Sequence, residues 1–364
     1  MAQASKTALF GPGLFRLFLA IVVVVHHSFP LRGGAWAVDV FFILSGYWIT
    51  RMWESRYSRT RANYLTFLVS RWWRLAPVFF VCLTLGLGSA AFLHGTEVFG
   101  ILNRPAWWIR QLTIAGSSDA GRILPPTWSL DVEMQFYVFA PALIYILTRV
   151  SGTVRWFLIA GLLVIPSVFF FRGTPVDTAR VGLFSGFFLA GTALALSDWV
   201  ADRRTAIAGV AVLIGVTTLL ALFTPMRSGI WFDGFLGTTP TPWVSSWWIV
   251  AAVLVLPFIS RNVRIRSSRF DRFLGNLAYP LYLFHWIPRE WYYHLCNTNS
   301  SNLVRILLLA ANFVVAIGGA TVILLFIDQP LDRLRAKWVA SRQTMAARER
   351  ETILSGESRP EANA

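Results

Sequence analysis

The strongest constraint on this chain is a succession of about ten apolar stretches, each close to the roughly 20 residues an α-helix needs to cross a hydrocarbon core of about 30 Å. They fall near residues 13 to 30, 37 to 53, 73 to 93, 131 to 148, 156 to 171, 181 to 198, 205 to 223, 243 to 260, 273 to 294 and 303 to 327. With 55% hydrophobic and 14% charged residues over 364 positions, the chain has too much apolar surface for one soluble core. Backbone in lipid must satisfy its own hydrogen bonds, which leaves helices as the economical solution. The expected fold class is all-α: a polytopic integral membrane bundle of about ten transmembrane helices over residues 1 to 330, followed by a basic tail at 331 to 364.

The formal charge of +15 does not point to nucleic acid, because no basic domain stands apart from the apolar spans. The charge alternates between connections instead. Arg51, Arg56, Arg59, Arg61, Arg71 and Arg74 follow the second stretch, and Arg261, Arg264, Arg266, Arg269 and Arg272 follow the eighth. By the positive-inside rule both termini are cytoplasmic, and a multi-pass protein of the cytoplasmic membrane is expected. The first stretch lacks a small-residue cleavage site and reads as a retained signal anchor. Cys82 and Cys296 cannot make a disulfide framework and lack zinc spacing, so no metal is expected.

Leu331, Leu334 and Trp338 recur at helical spacing among arginines in the tail, which suits a helix lying on anionic lipid; a solvated tail explains them equally. The segment Glu97 to Leu112 reads as interfacial, with Trp107 and Trp108 at headgroup level.

Polar residues inside the spans are where chemistry can sit, since ionisable groups are costly at membrane depth. Arg16 and His27, eleven residues apart, share a helical face about 16 Å apart, while His26 points about 100° away. Snorkelling accounts for Arg16, and a helix-contact hydrogen bond for either histidine, as the ordinary alternatives. Asp39 lies at a depth similar to His27, where a carboxylate can fix an imidazole's tautomer or simply cap a helix. Ser45 and Gly46 form a small pair that permits close helix approach. Arg71 and Arg74 share a face at what reads as the start of a helix, where two guanidiniums and free backbone donors make a phosphate site; positive-inside anchoring is the bland account. Glu133 and Tyr137 share a face by their four-residue spacing. His285 sits mid-span behind Pro280 and reads most simply as a satisfied bundle histidine.

In chain order, Arg16 with His27, VDVFFILSGYWI, RWWRLAP, WSLDVEMQFY, YPLYLFHW and FIDQP resemble the signature blocks of the membrane-bound acyltransferase 3 family over about residues 10 to 330. Ala37 stands where many relatives have glycine, and Asp328 where glutamate often precedes the final proline. The short stretch after the last span is expected to be the stand-alone form, without the esterase-like domain fused in some relatives. The resemblance implies ten spans, a cytoplasmic acyl-coenzyme A donor as co-substrate, no permanently bound cofactor, and transfer of an acetyl or other acyl group to a hydroxyl, commonly on a sugar or glycan.

Compatible parts are present. Arg71 and Arg74 would hold the coenzyme, with Arg16 lining its route. His27 would be the general base, opening onto a cavity that the thioester enters from the cytoplasm. Asp39 or Glu133 would stabilise the imidazolium, and Tyr137 or Ser45, with His285 as a further candidate, would serve substrate or oxyanion. The main rival is a proton-coupled transporter of a carbohydrate or small molecule, since histidine and carboxylates in spans also make proton relays; no paired repeats with matching broken helices support it. Coenzyme binding separates the enzyme from the transporter, and a third class, a non-catalytic scaffold, predicts neither binding nor transport.

Overall fold

The computed structural model describes residues 10–29, 32–95, 100, 102–117, 123–171, 181–222, 242–296 and 300–355. Among them there is no β-strand. The helices are α1 (Pro12–Ser28), α2 (Gly34–Ser55), α3 (Asn63–His94), α4 (Pro105–Thr113), α5 (Thr127–Arg149), α6 (Gly152–Phe171), α7 (Val181–Leu196), α8 (Arg203–Leu222), α9 (Pro242–Leu254), α10 (Leu256–Asn262), α11 (Arg269–Phe284), α12 (Trp286–Leu295), α13 (Asn302–Ile323) and α14 (Gln329–Ser355).

Each expected apolar stretch coincides with helix. Two of them are broken: α9 gives way to α10 at Val255, just before Pro257, and α11 gives way to α12 at His285. A proline lacks the N–H that would continue the preceding turn, so it suits the first turn of a new helix. By length and hydropathy α3, α5, α8 and the continuous run Asn302–Leu354 can each cross a membrane. The outward faces are apolar, with Phe157 75%, Leu219 66% and Val314 71% exposed, a surface that water would not tolerate over such an area. The protein is an all-helical, multi-pass membrane bundle.

Helix α2 is the centre of the packing, against α1 on one side and α7 on the other, with α5 and α9 also touching it. Its approach to α7 is backbone to backbone. A Cβ on Gly46 would stand 1.9 Å from the Phe188 carbonyl oxygen, and one on Gly191 would stand 1.8 Å from that of Ile43. Two glycines therefore face each other's helices reciprocally, which is how helices associate where lipid removes the usual hydrophobic drive. Gly46→Ala is expected to cost about 1–3 kcal/mol of stability in detergent, as overpacking does. Gly88→Ala, with nothing within 4 Å, should stay within about 0.5 kcal/mol; paired thermal melts check this.

Helix α1 is fixed at its start from a distance. Gly11 and Pro12 supply no side-chain cap, and the Asp271 carboxylate of α11 takes that place, accepting from the Gly13 and Leu14 N–H groups at 3.0 and 2.9 Å. Ser268 in turn accepts from the Asp271 N–H.

Two local readings change. Helix α3 begins at Asn63, so Arg71 and Arg74 lie two to three turns inside it rather than at its N-terminus. The segment NYLTFLVS is itself helical, and the orphan N–H donors of the first turn are spent away from the arginines. Trp107 is 4% exposed and packed in the core, while Trp108 is exposed; only the second can sit at a headgroup. Residues 96–99 and 101 of that segment lie outside the described residues.

The tail is helical as far as Ser355, the last described residue. After α13 the chain passes through a π-helical turn, Leu324–Asp328, into α14, which docks on the α2–α3 connection. The Arg61 N–H donates to the Arg342 carbonyl at 3.1 Å, and the Gln343 amide to the Arg56 carbonyl at 3.2 Å.

Candidate active site

A cavity of about 830 Å³ lies among α1, α2, α3, α5, α11 and the α13–α14 turn, within the usual size for a ligand site. At the end of the bundle that carries the basic connections it is bordered by Arg71, Arg74, Arg272, Arg333 and Arg335. Its wall also carries Arg16 and a cluster of Ser45, Glu133 and Tyr137, and it meets Ser129 and Tyr282.

Helix periodicity explains the inner cluster. Glu133 and Tyr137 are one turn apart on α5, and the Tyr137 hydroxyl donates to Glu133 Oε1. Ser45 of α2 donates to the same oxygen at 2.7 Å. Both hydroxyl hydrogens are thus directed at one carboxylate, and the oxygens of Ser45 and Tyr137 are left with lone pairs for a ligand's N–H groups.

The arginines are held differently from one another. Arg74 is ion-paired with Asp328 of the π turn and lies 5.6 Å from the Tyr279 ring. Arg71 is 5% exposed; its Nη2 donates to the Tyr57 hydroxyl at 2.7 Å, while its Nε is buried without a partner. Arg16 also has a buried, unpartnered Nε, and its guanidinium passes where a side chain on Gly275 would be, 2.5 Å from that Cβ position. Both arginines line the cavity, where planar cations suit an anionic, acceptor-rich ligand. Burial opposes ionisation of Tyr57, in the α2–α3 connection, but Arg71, the Ser70 hydroxyl and Arg335 together bring its phenol below the ordinary value.

His27, in the last turn of α1, meets His285 at the α11–α12 break. His27 Nδ1 and His285 Nε2 are 3.0 Å apart and the rings are stacked within 17°. His285 Nδ1 faces the Leu281 carbonyl at 3.2 Å. A carbonyl only accepts, so Nδ1 of His285 carries the hydrogen and its Nε2 accepts from His27 Nδ1–H. The lone pair of His27 then lies on Nε2. Trp286 stands edge-on to the His27 ring at 5.2 Å, and Arg289 Nε donates to the His27 carbonyl at 2.8 Å. His26 packs on Gly34 at the start of α2, where a Cβ would come within 2.4 Å of its ring.

The orienting partner of His27 is therefore His285, not a carboxylate. Among the described residues no hydrogen bond or ion pair joins Asp39 or Glu133 to His27; Asp39 is buried on α2 and Glu133 is engaged by Ser45 and Tyr137. Nor does His27 open onto the cavity as expected. Neither it nor His285 lines the wall. Tyr282 and Ser129 close it there, bonded hydroxyl to hydroxyl at 2.7 Å, with Phe41 at 6.2 Å from the Tyr282 ring. The His285 ring lies 6.4 Å beyond that of Tyr282, so one layer of side chains separates cavity from histidines.

Sequence reasoning missed Tyr57, Ser129, Tyr282 and Arg335. Ser129 and Tyr282 lie inside the quoted blocks WSLDVEMQFY and YPLYLFHW, one turn from Glu133 and three residues before His285, and their polarity in apolar spans was the available signal. Tyr57 lies in a basic connection and Arg335 in the basic tail, where nothing distinguishes them from anchors.

All six sequence blocks meet at the cavity or at the histidine pair. A family model of an acyltransferase domain, Acyl_transf_3, matches residues 11–326. The peptidoglycan O-acetyltransferase OatA of Listeria monocytogenes is 25% identical over 344 residues, covering 84% of this chain and 53% of its own. The O-acetyltransferase OatA of Staphylococcus aureus is 26% identical over 316 residues, covering 76% of this chain and 50% of its own. The putative peptidoglycan O-acetyltransferase YrhL of Bacillus subtilis is 31% identical over 145 residues, 36% of this chain and 23% of its own. The chain spans about half the length of the two OatA relatives. No solved structure matches it. With a match that runs from the first turn of α1 to the π turn, taking in every residue that builds the cavity's inner wall, the chain belongs to the membrane-bound acyltransferase 3 family.

Proposed function

We propose that the protein is an O-acyltransferase of the cytoplasmic membrane that moves an acyl group, acetyl first, from cytoplasmic acyl-coenzyme A to a hydroxyl of a glycan acceptor. The observation that carries this reading is the cavity itself, which begins among arginines and ends one side-chain layer from a histidine whose tautomer is fixed. Peptidoglycan, named for the relatives, is the first acceptor to test.

The donor is a substrate whose phosphates match guanidinium forks, so Arg71 and Arg74 hold its nucleotide end while Arg16 lines the path inward. Its pantetheine arm carries amide N–H groups, and the oxygens of Ser45 and Tyr137 accept them. The thioester then stands at Ser129 and Tyr282, and the acceptor hydroxyl approaches from the opposite end of the bundle, beside His27. Contact between them requires Tyr282 to move off Ser129.

His27 Nε2 takes the hydroxyl proton as the oxygen attacks the thioester carbonyl carbon. The tetrahedral intermediate collapses with loss of the C–S bond, and the departing thiolate takes the proton from the imidazolium, giving an ester and free coenzyme. His285 holds the ring in the tautomer that leaves Nε2 open. Neither carboxylate expected beside the base serves it in this scheme: Glu133 orients the wall hydroxyls, and Asp39 has no part in the transfer. Membership of an acyltransferase family speaks against the transporter alternative.

The reading is tested by comparing surface glycans by mass spectrometry with and without the gene. A mass difference of one acyl group per modified sugar is expected. Identical glycans, in cells shown to make the protein, contradict it.

A further inference from the structure

The C-terminal helix supplies part of the cavity wall that the transfer chemistry above leaves unused. Asp332, Arg333 and Arg335 of α14 line the cavity beside Arg71 and Arg74. Arg333 is exposed. Arg335 is 8% exposed and fully committed: it donates to Ser70 Oγ at 2.8 Å, to the Tyr57 hydroxyl at 3.3 Å, and from Nε and Nη2 to Asp332 Oδ1 at 3.0 and 2.7 Å. Tyr57, itself fully buried, is the phenol that receives Arg71. Two buried guanidiniums from different ends of the sequence thus converge on one oxygen.

Such a juxtaposition of cations is costly unless something anionic faces it. Six arginines line the cavity against three carboxylates, Glu133, Asp328 and Asp332. The excess of three positive charges suits a ligand that carries several phosphate charges. The docking of α14 by hydrogen bonds from the Gln343 side chain to the Arg56 carbonyl and from the Arg61 N–H to the Arg342 carbonyl, and of Trp338 against Trp73 with ring centroids 6.0 Å apart, keeps these arginines at the mouth.

We propose that α14 is a working part of the donor site: Arg333 binds phosphates of the coenzyme's nucleotide end, and Arg335, acting through Tyr57, is a positioning residue that holds Arg71 in the wall. The ligand class is a nucleoside diphosphate bearing a further ribose phosphate. This rests on the reading of the donor as acyl-coenzyme A. An anionic lipid headgroup offers the same phosphate chemistry, and the experiment separates the two.

The full chain is placed in nanodiscs of phosphatidylcholine, with a parallel set containing phosphatidylglycerol, and coenzyme A and dephospho-coenzyme A are titrated by calorimetry. Arg333→Ala is expected to weaken coenzyme A about tenfold, the loss of one charge-assisted contact, with a smaller loss for the dephospho compound and the same result in both lipids. Arg335→Ala is expected to raise KM for acetyl-coenzyme A about tenfold with kcat within about twofold, the pattern of lost ground-state binding, and Arg335→Lys to recover part of it. Should Arg335→Ala not fold, exposed Arg333 decides alone. The proposal is overturned if the wild type binds coenzyme A and Arg333→Ala binds it equally well, or if the variants differ only in anionic lipid. A wild type that binds no coenzyme A in either lipid overturns the donor reading itself, and this inference with it.

Discussion

Replacement of His27 by alanine is expected to slow acyl transfer by about 10² to 10⁴, the usual worth of a positioned general base, with little change in coenzyme binding. The separation follows from the geometry: His27 does not line the cavity, whereas the arginines do. The measurement is single-turnover consumption of labelled acetyl-coenzyme A by purified wild type and variant, with thermal melts to confirm that the variant folds. Retained turnover in the variant would remove His27 from the chemistry. His285→Ala should give a smaller loss, because the ring it orients remains present but free to adopt the tautomer that blocks Nε2.

The second large effect belongs to Asp328. It is 5% exposed and paired with Arg74, so its removal leaves a mostly buried guanidinium without its counter-charge. Breaking one side of a buried pair costs about 3–5 kcal/mol, and the lower end is expected here because the Arg74 side chain is 24% exposed. Asp328→Ala should therefore lower stability by about 3 kcal/mol and raise KM for the donor, as Arg74 loses its fixed position. The double variant Asp328→Leu with Arg74→Met should recover much of the stability and none of the donor affinity. Melts and donor titrations on the three proteins check both halves.

How far the sequence revealed this arrangement depends on the distance over which each contact acts. The Glu133–Tyr137 pair was legible because four residues on a helix return to the same face, and the two side chains are hydrogen-bonded. The apolar periodicity placed the helices, and Gly46 was legible as a site of close approach although its partner, the Phe188 carbonyl, was not. The partner of His27 lies 258 residues away, at a helix break that only tertiary packing locates. Proximity in depth suggested Asp39, but depth does not fix rotation about the α2 axis. Arg74 and Asp328 are 254 residues apart for the same reason. The supposed helix start at Arg71 failed because NYLTFLVS, ahead of it, is apolar enough to continue the helix back to Asn63. The tail was open to two readings because its arginines at 333 and 335 look like any surface charge until Tyr57 and Ser70 are brought against them.

In the proposed reaction the donor enters at the basic end and its acyl group leaves toward the other. The most direct test reconstitutes the protein in sealed vesicles of one orientation, with labelled acetyl-coenzyme A on one side and a soluble glycan acceptor on the other. Labelled acceptor should form only when the thioester is on the side bearing Arg71 and Arg74. Transfer from thioester supplied on the opposite side alone would contradict the account.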